Sequence, residues 1–212
     1  MAEQIKKDLA EDPKKHHELP DEKTIHEAGE LEIQDESGTS MPFRTLYTSS
    51  AKGSTKHLIV FIRHFYCGHC EDYVRALSTA FPSPQNHTPS FTLTVIGCGQ
   101  PHVIPEYRTR TSCPFPIYTD PSRAIYAKLG MVINLDLGDK KPEYVESGIV
   151  RGTLSSMWNM IKSGAVNGKG GAYDQNGGEW IFEEEELRWC HRMENTRDHA
   201  EIGEVEGVLG VV

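Results

Sequence analysis

Between His57 and Gly130 the chain alternates three short apolar runs with three stretches of helical period, and this alternation constrains the fold more than any other feature. "HLIVFIR" is a continuous β-branched run that suits a strand covered on both faces. "GHCEDYVRALSTAF" follows, with Tyr73, Val74, Leu77 and Phe81 spaced for one helical face. The pattern repeats with "SFTLTVIGCG" as a strand and "IPEYRTRTS" as a helix with Pro105 in its opening turn. It repeats again with "FPIYTD" and "DPSRAIYAKLG", where Ser122 is the expected N-cap and Gly130 the stop. A βαβαβα order predicts parallel strands with helices on both faces of the sheet.

The flanking segments differ in character. Residues 1–19 mix charges of both signs around "KKHH" and hold little to bury, so they are expected to form a disordered, solvated tail, with the folded domain spanning 20–212. "LPDEKTIHEAG" predicts a short helix capped by Asp21 and ended by Gly29. A strand is expected at Leu31 to Ile33, a turn at Ser37-Gly38 and a further element at Phe43 to Tyr47. "TLSSMWNMIKSG" reads as a helix whose Met157, Trp158, Met160 and Ile161 face the core. "GAVNGKGGAYDQNGG" lacks the spacing of a phosphate loop and reads as a mobile connection or an active-site flap. "EWIFEEEELRWCHR" predicts an antiparallel hairpin around an acidic turn, and "DHAEIGEVEGVLG" a closing helix. Together these elements form an α/β, thioredoxin-like arrangement: a central mixed sheet of parallel strands plus a C-terminal hairpin.

Composition narrows the function. The 212 residues carry a net charge of −9, a surface that repels phosphate backbones, and no basic stripe with interleaved aromatics appears, so nucleic acid is not an expected partner. No secretory signal or membrane-spanning run is legible, which points to the cytoplasm. In a reducing compartment five irregularly spaced cysteines do not make a disulfide framework. Cys98, Cys113 and Cys190 read as small buried hydrophobes. Cys67 and Cys70 instead form a C-x-x-C between a strand end and a helix start, where free N–H groups and the helix dipole favour a thiolate. The second cysteine, one turn on, can close a disulfide with the first. Arg63, His64 and His69 are candidates to add positive charge, with His64 equally readable as a structural histidine. A zinc site needs a second ligand pair that the sequence does not offer, so no metal is expected.

The segments "FIRHFYCGHCEDYV", "VIGCGQ", "YTDPSRAIYAKLG", "QNGGEWIF" and "CHRMENTRDH" resemble, in order, the AhpC/TSA-type peroxiredoxin-like proteins of the antioxidant-enzyme-domain branch. The resemblance implies a thiol-dependent redox enzyme with Cys67 and Cys70 as the catalytic pair and no organic cofactor. Laid on the usual P-x-x-x-[TS]-x-x-C motif, Cys70 takes the peroxidatic place, Cys67 replaces the Thr/Ser and Arg63 replaces the Pro. Thioredoxin logic selects Cys67 as the attacking thiol and peroxiredoxin logic selects Cys70; Cys67 is preferred. Gly177-Gly178 would hold the place of the thioredoxin cis-proline, whereas Arg151 reads as structural. Expected substrate-binding residues are Arg63, His64, Tyr66, His69, Gly177 and Gly178. The expected reaction is reduction of a small disulfide or peroxide, with an external thiol of the thioredoxin or glutathione type as reductant, and the sequence leaves a homodimer open. A specialised metabolic enzyme on the same scaffold is the second reading, and a redox-inactive interaction module is the third.

Overall fold

The computed structural model describes residues 16–48, 56–86, 90–145 and 168–211. The expected helix around Met157, together with Arg151 and residues 1–15, lies outside them.

The three apolar runs become β3 (Lys56–Phe61), β4 (Phe91–Gly97) and β5 (Ile117–Thr119), which pair in parallel in the order β5-β4-β3. The C-terminal hairpin β6 (Gly178–Glu183) and β7 (Glu186–Arg192) adds antiparallel to β3, with Phe61 opposite Gly178 and Val60 opposite Glu179. Glu184 and Glu185 turn this hairpin with φ of 54° and 68°, the backbone of a two-residue turn whose twist matches the strands it joins. At the other edge β1 (Glu32–Gln34) pairs antiparallel with β5 and with β2 (Ser40–Pro42). Among the described residues the sheet therefore has seven strands in the order β2-β1-β5-β4-β3-β6-β7.

Because strand side chains alternate, β3 feeds two cores. Leu58, Val60 and Ile62 pack on one face, with Tyr73, Val74 and Leu77 of α2 (Gly68–Ala80), Ile104 and Tyr107 of α3 (Ile104–Thr111), and Val205 and Leu209 of α5 (Ile202–Leu209). Ile59 and Phe61 pack on the other, with Ala28 of α1 (Glu22–Gly29), Ile125 and Tyr126 of α4 (Ala124–Lys128), and Trp180. Helices on both faces agree with the expectation from the alternating pattern.

Two local expectations are corrected. Asp21 caps α1 as expected, accepting from the Thr24 N–H at 2.7 Å, but Ser122 is not the N-cap of α4. That position belongs to Arg123, at φ 60°, and two side chains share the capping: Ser122 Oγ accepts from Ala124 N–H, and Asp120 Oδ2 accepts from Ile125 N–H at 2.9 Å. At the N-terminus, the last residues of the expected tail are docked. His16 is buried, and the Arg192 guanidinium donates to the Glu18 carbonyl at 2.8 Å.

Candidate active site

β3 ends at Phe61, and the chain then makes a tight excursion through Arg63, His64, Phe65 and Tyr66 before α2 begins. Cys67 is the N-cap of α2, and Cys70 lies in its first turn. Both sulfurs are nearly sealed, with Cys67 3% exposed and Cys70 0%. Two contacts hold the excursion in place: the Phe65 N–H donates to the Gly170 carbonyl at 3.0 Å, and Arg110 donates to the Phe65 carbonyl at 2.5 Å. The Arg110 guanidinium also sits 5.3 Å from the Tyr66 ring centroid. The Gly-rich segment at 168–171 is thus a clamp over the loop that presents Cys67. Gly170 is required there, since a Cβ would fall 2.0 Å from the Tyr66 ring.

The two cysteines meet opposite electrostatics. Arg63 Nη1 donates to Cys67 Sγ at 3.3 Å, while its Nε donates to Asn176 Oδ1 at 3.1 Å and its Nη2 to the Tyr173 carbonyl. A hydrogen bond from the Cys70 thiol, followed by the Arg63 charge, holds Cys67 well below the usual thiol range in spite of its burial. Burial does the reverse to Cys70 and pushes it well above that range, and the adjacent Cys67 charge adds to the effect. These directions make Cys67 the more acidic thiol of the pair and Cys70 the less acidic one.

Neither expected histidine supplies positive charge near neutral pH. Burial lowers His64 to about 4, and its Nδ1 accepts from the Tyr66 N–H at 3.3 Å, which makes it a structural imidazole. His69 is also lowered, chiefly by burial. Gly177 is likewise committed elsewhere: its N–H donates to Met193 Sδ and its carbonyl accepts from the Met193 N–H. A Cβ on Gly177 would meet the Phe61 carbonyl oxygen at 1.8 Å, and one on Gly178 the His191 carbonyl oxygen at 2.2 Å. These glycines let β6 close against its neighbours. The cluster around the sulfurs thus contains Arg63, His64 and His69, with Tyr66 next to Cys67 in the presenting loop.

Sequence reasoning missed the groups behind Cys70. His199 Nε2 lies 3.4 Å from Cys70 Sγ, and its Nδ1 lies 2.5 Å from Glu179 Oε1, with both side chains fully buried. The second oxygen of Glu179 accepts from the Ala200 N–H at 3.1 Å. Tyr73 stacks flat on the imidazole at 4.3 Å, and the His199 N–H donates to the Tyr144 hydroxyl at 2.9 Å. One signal was available: Glu179 is an ionisable residue in the apolar run "EWIF", at an alternation position that faces a core. Elsewhere among the described residues, His17, His191 and Glu204 bring possible metal-ligand atoms within 4.8 Å of one another; Cys67 and Cys70 belong to no such group.

A strand leading into a thiolate at a helix N-terminus, with a second thiol one turn on, defines a thioredoxin-like thiol redox protein. The AhpC/TSA antioxidant enzyme family matches residues 76–195, more than half the chain, and this protein belongs to that family. The matched stretch begins beyond Cys70, so the cysteine pair itself lies outside it. Peroxiredoxin-like 2C from Takifugu rubripes is 29% identical over 211 residues, covering 98% of this chain and 91% of that protein. The Homo sapiens protein of the same name is 29% identical over 183 residues, covering 86% and 78%. A peroxiredoxin-like protein from Aquifex aeolicus shares the fold with a TM-score of 0.52 at 9% identity, over 85% of this chain and 81% of that one. Family membership carries a thiol-dependent redox role.

Proposed function

We propose that the protein is a thiol oxidoreductase in which the Cys67 thiolate attacks a peroxide or a small disulfide and Cys70 resolves the product as an intramolecular disulfide. The observation that carries this reading is the 3.3 Å contact from Arg63 Nη1 to Cys67 Sγ at the start of α2. A cation and a helix N-terminus favour the charged sulfur before the oxidant arrives. With a peroxide, the distal oxygen transfers to Cys67 as a sulfenic acid and an alcohol or water leaves; Cys70 then attacks the sulfur and water is released. An external dithiol or two thiols return both cysteines to the reduced state, so the protein needs a reductant of the thioredoxin or glutathione type. The near-complete burial of Cys67 favours small oxidants over protein disulfides. Among the described residues no helix is long and apolar enough to cross a membrane, and we place the activity in the cytoplasm, where such reductants are maintained.

Single substitutions test the assignment. Cys67→Ser is expected to abolish reaction with hydrogen peroxide and with a small disulfide. Cys70→Ser is expected to react once and stop at a sulfenic acid or mixed disulfide on Cys67, identified by mass spectrometry. The reverse pattern, with Cys70 alone forming the sulfenic acid, would assign the attack to Cys70.

A further inference from the structure

Resting on that reading, we propose that His199 is the catalytic base that takes the proton from Cys70 at the resolving step, and that Glu179 is the positioning residue that keeps its Nε2 free to do so. The geometry sets the direction of the relay. Both oxygens of Glu179 act as acceptors, one from the His199 ring and one from the Ala200 N–H. Glu179 therefore draws the ring proton to Nδ1 and leaves an Nε2 lone pair 3.4 Å from Cys70 Sγ. This is the arrangement of a nucleophile, a base and a group that orients the base. Tyr73, flat against the ring, and Tyr144, bonded to the His199 main chain, restrict its rotation.

The relay also orders the two half-reactions. In the reduced protein the Cys70 proton is shared with the Cys67 thiolate and helps keep Cys67 charged. Once Cys67 carries an oxygen or a thiol substituent its sulfur is no longer an anion, and the proton has lost its acceptor. Sealed from solvent, Cys70 has His199 Nε2 as the nearby base. Proton transfer to His199 gives an imidazolium beside the Glu179 carboxylate and a Cys70 thiolate. That thiolate attacks Cys67 sulfur and expels hydroxide, which leaves as water with the His199 proton; from a mixed disulfide the thiolate of the substrate leaves instead. The other titratable and charged groups around this relay are Tyr73 and Tyr144, in ring contact with His199, and Arg63, Tyr107 and Tyr126, which interact with Cys70. Burial pushes these four tyrosines well above their ordinary range, so they remain neutral phenols at working pH.

The test is a single turnover of the reduced full chain with hydrogen peroxide, or with hydroxyethyl disulfide as a second oxidant, quenched at intervals and read by mass. Oxidation of Cys67 and closure of the disulfide are then separate steps. His199→Gln is expected to leave the first step within about twofold and to slow closure about 100-fold, so that the sulfenic acid accumulates. Closure in His199→Gln should also rise about tenfold per pH unit between pH 6 and 8, since a thiolate formed without an internal base tracks hydroxide, whereas the wild type should rise far less steeply across that range. Glu179→Gln should slow closure about tenfold and displace the wild-type pH profile, a change that loss of packing alone would not produce. Unchanged closure in His199→Gln overturns the proposal. If the variants do not fold, the wild type decides: closure that climbs about tenfold per pH unit across the same range overturns it as well. Absence of any Cys67 oxidation in the wild type by either oxidant removes the underlying thiol reading and the relay with it.

Discussion

Cys67 and Cys70 are a single helical turn apart, yet the groups around them come from different parts of the chain and do opposite things. The surroundings of Cys67 are local: Arg63, His64 and Tyr66 precede it directly, held down by the Gly170 and Tyr173 carbonyls. They supply one fixed cation and a helix terminus, which stabilise a charge that persists at rest. The surroundings of Cys70 are assembled from the far end of the chain, with Glu179 on β6 and His199 beyond β7. They supply an imidazole held by a buried carboxylate, in a setting whose burial pushes the Cys70 thiol up. Two sulfurs of the same chemical type thus face different surroundings, and the proposed division into attacking and resolving roles rests on that difference.

Substitutions on the Cys67 side break this comparison most severely. Arg63→Met is expected to slow alkylation of Cys67 at pH 7 by about 30-fold, since a charge-assisted hydrogen bond to a buried anion is worth about 2 kcal/mol. Alkylation rate against pH in a Cys70→Ser background is the measurement, and the titration should move upward. An unchanged profile would mean that the helix terminus and the hydrogen bond from position 70, and not Arg63, set the thiolate.

His64→Gln sharpens the contrast by acting on stability instead of reactivity. His64 titrates at about 4 when folded and near 6.5 when exposed, so the unfolded state binds more protons between those values. Stability therefore rises with pH across this window, and acidification from about pH 6.5 to 4 should cost the wild type up to about 3 kcal/mol that the variant retains. Denaturant unfolding at pH 7 and pH 4.5 reads the difference. A variant as acid-sensitive as the wild type would show that another group carries the effect.

The smallest effect is expected at a thiol outside the pair. Cys98 is pushed up to about 12 by burial, and its Sγ donates to the Arg63 carbonyl at 3.0 Å. Cys98→Ala should cost about 1 kcal/mol and leave Cys67 oxidation unaltered, since it removes one buried hydrogen bond and no redox partner. Loss of peroxide or disulfide reactivity in this variant would extend the site beyond Cys67 and Cys70.

Most of this architecture was legible because its signals are short-range. β3 announces itself as a β-branched run, α2 by the spacing of Tyr73, Val74 and Leu77, and the hairpin by two apolar runs around an acidic turn. The position of the cysteine pair at a helix start follows from the same local pattern. The roles assigned to His64, His69 and Gly177 were not legible, because each turns on burial and on a hydrogen-bond partner that residue type does not specify. The docking of His16 and Glu18 beside β7 was hidden for the same reason: it rests on main-chain carbonyls offered to Arg192, which any sequence can supply, and on a 2.7 Å contact of the His16 ring with Glu194, a partner that residue type does not specify.

Local pattern alone specifies a strand, a thiol at the next helix terminus and a second thiol one turn further on, all within fifteen residues of one another in periodic local structure. The groups that meet each sulfur are set instead by tertiary packing, Arg63 against Cys67 and the Glu179–His199 pair against Cys70. His199 lies 129 positions from Cys70 along the chain, and it arrives there because β6 pairs with β3 in the register that sets Val60 opposite Glu179. A shift of one residue in that register would turn Glu179 to the opposite face of the sheet and leave the imidazole without its carboxylate, because strand side chains alternate with a period of two.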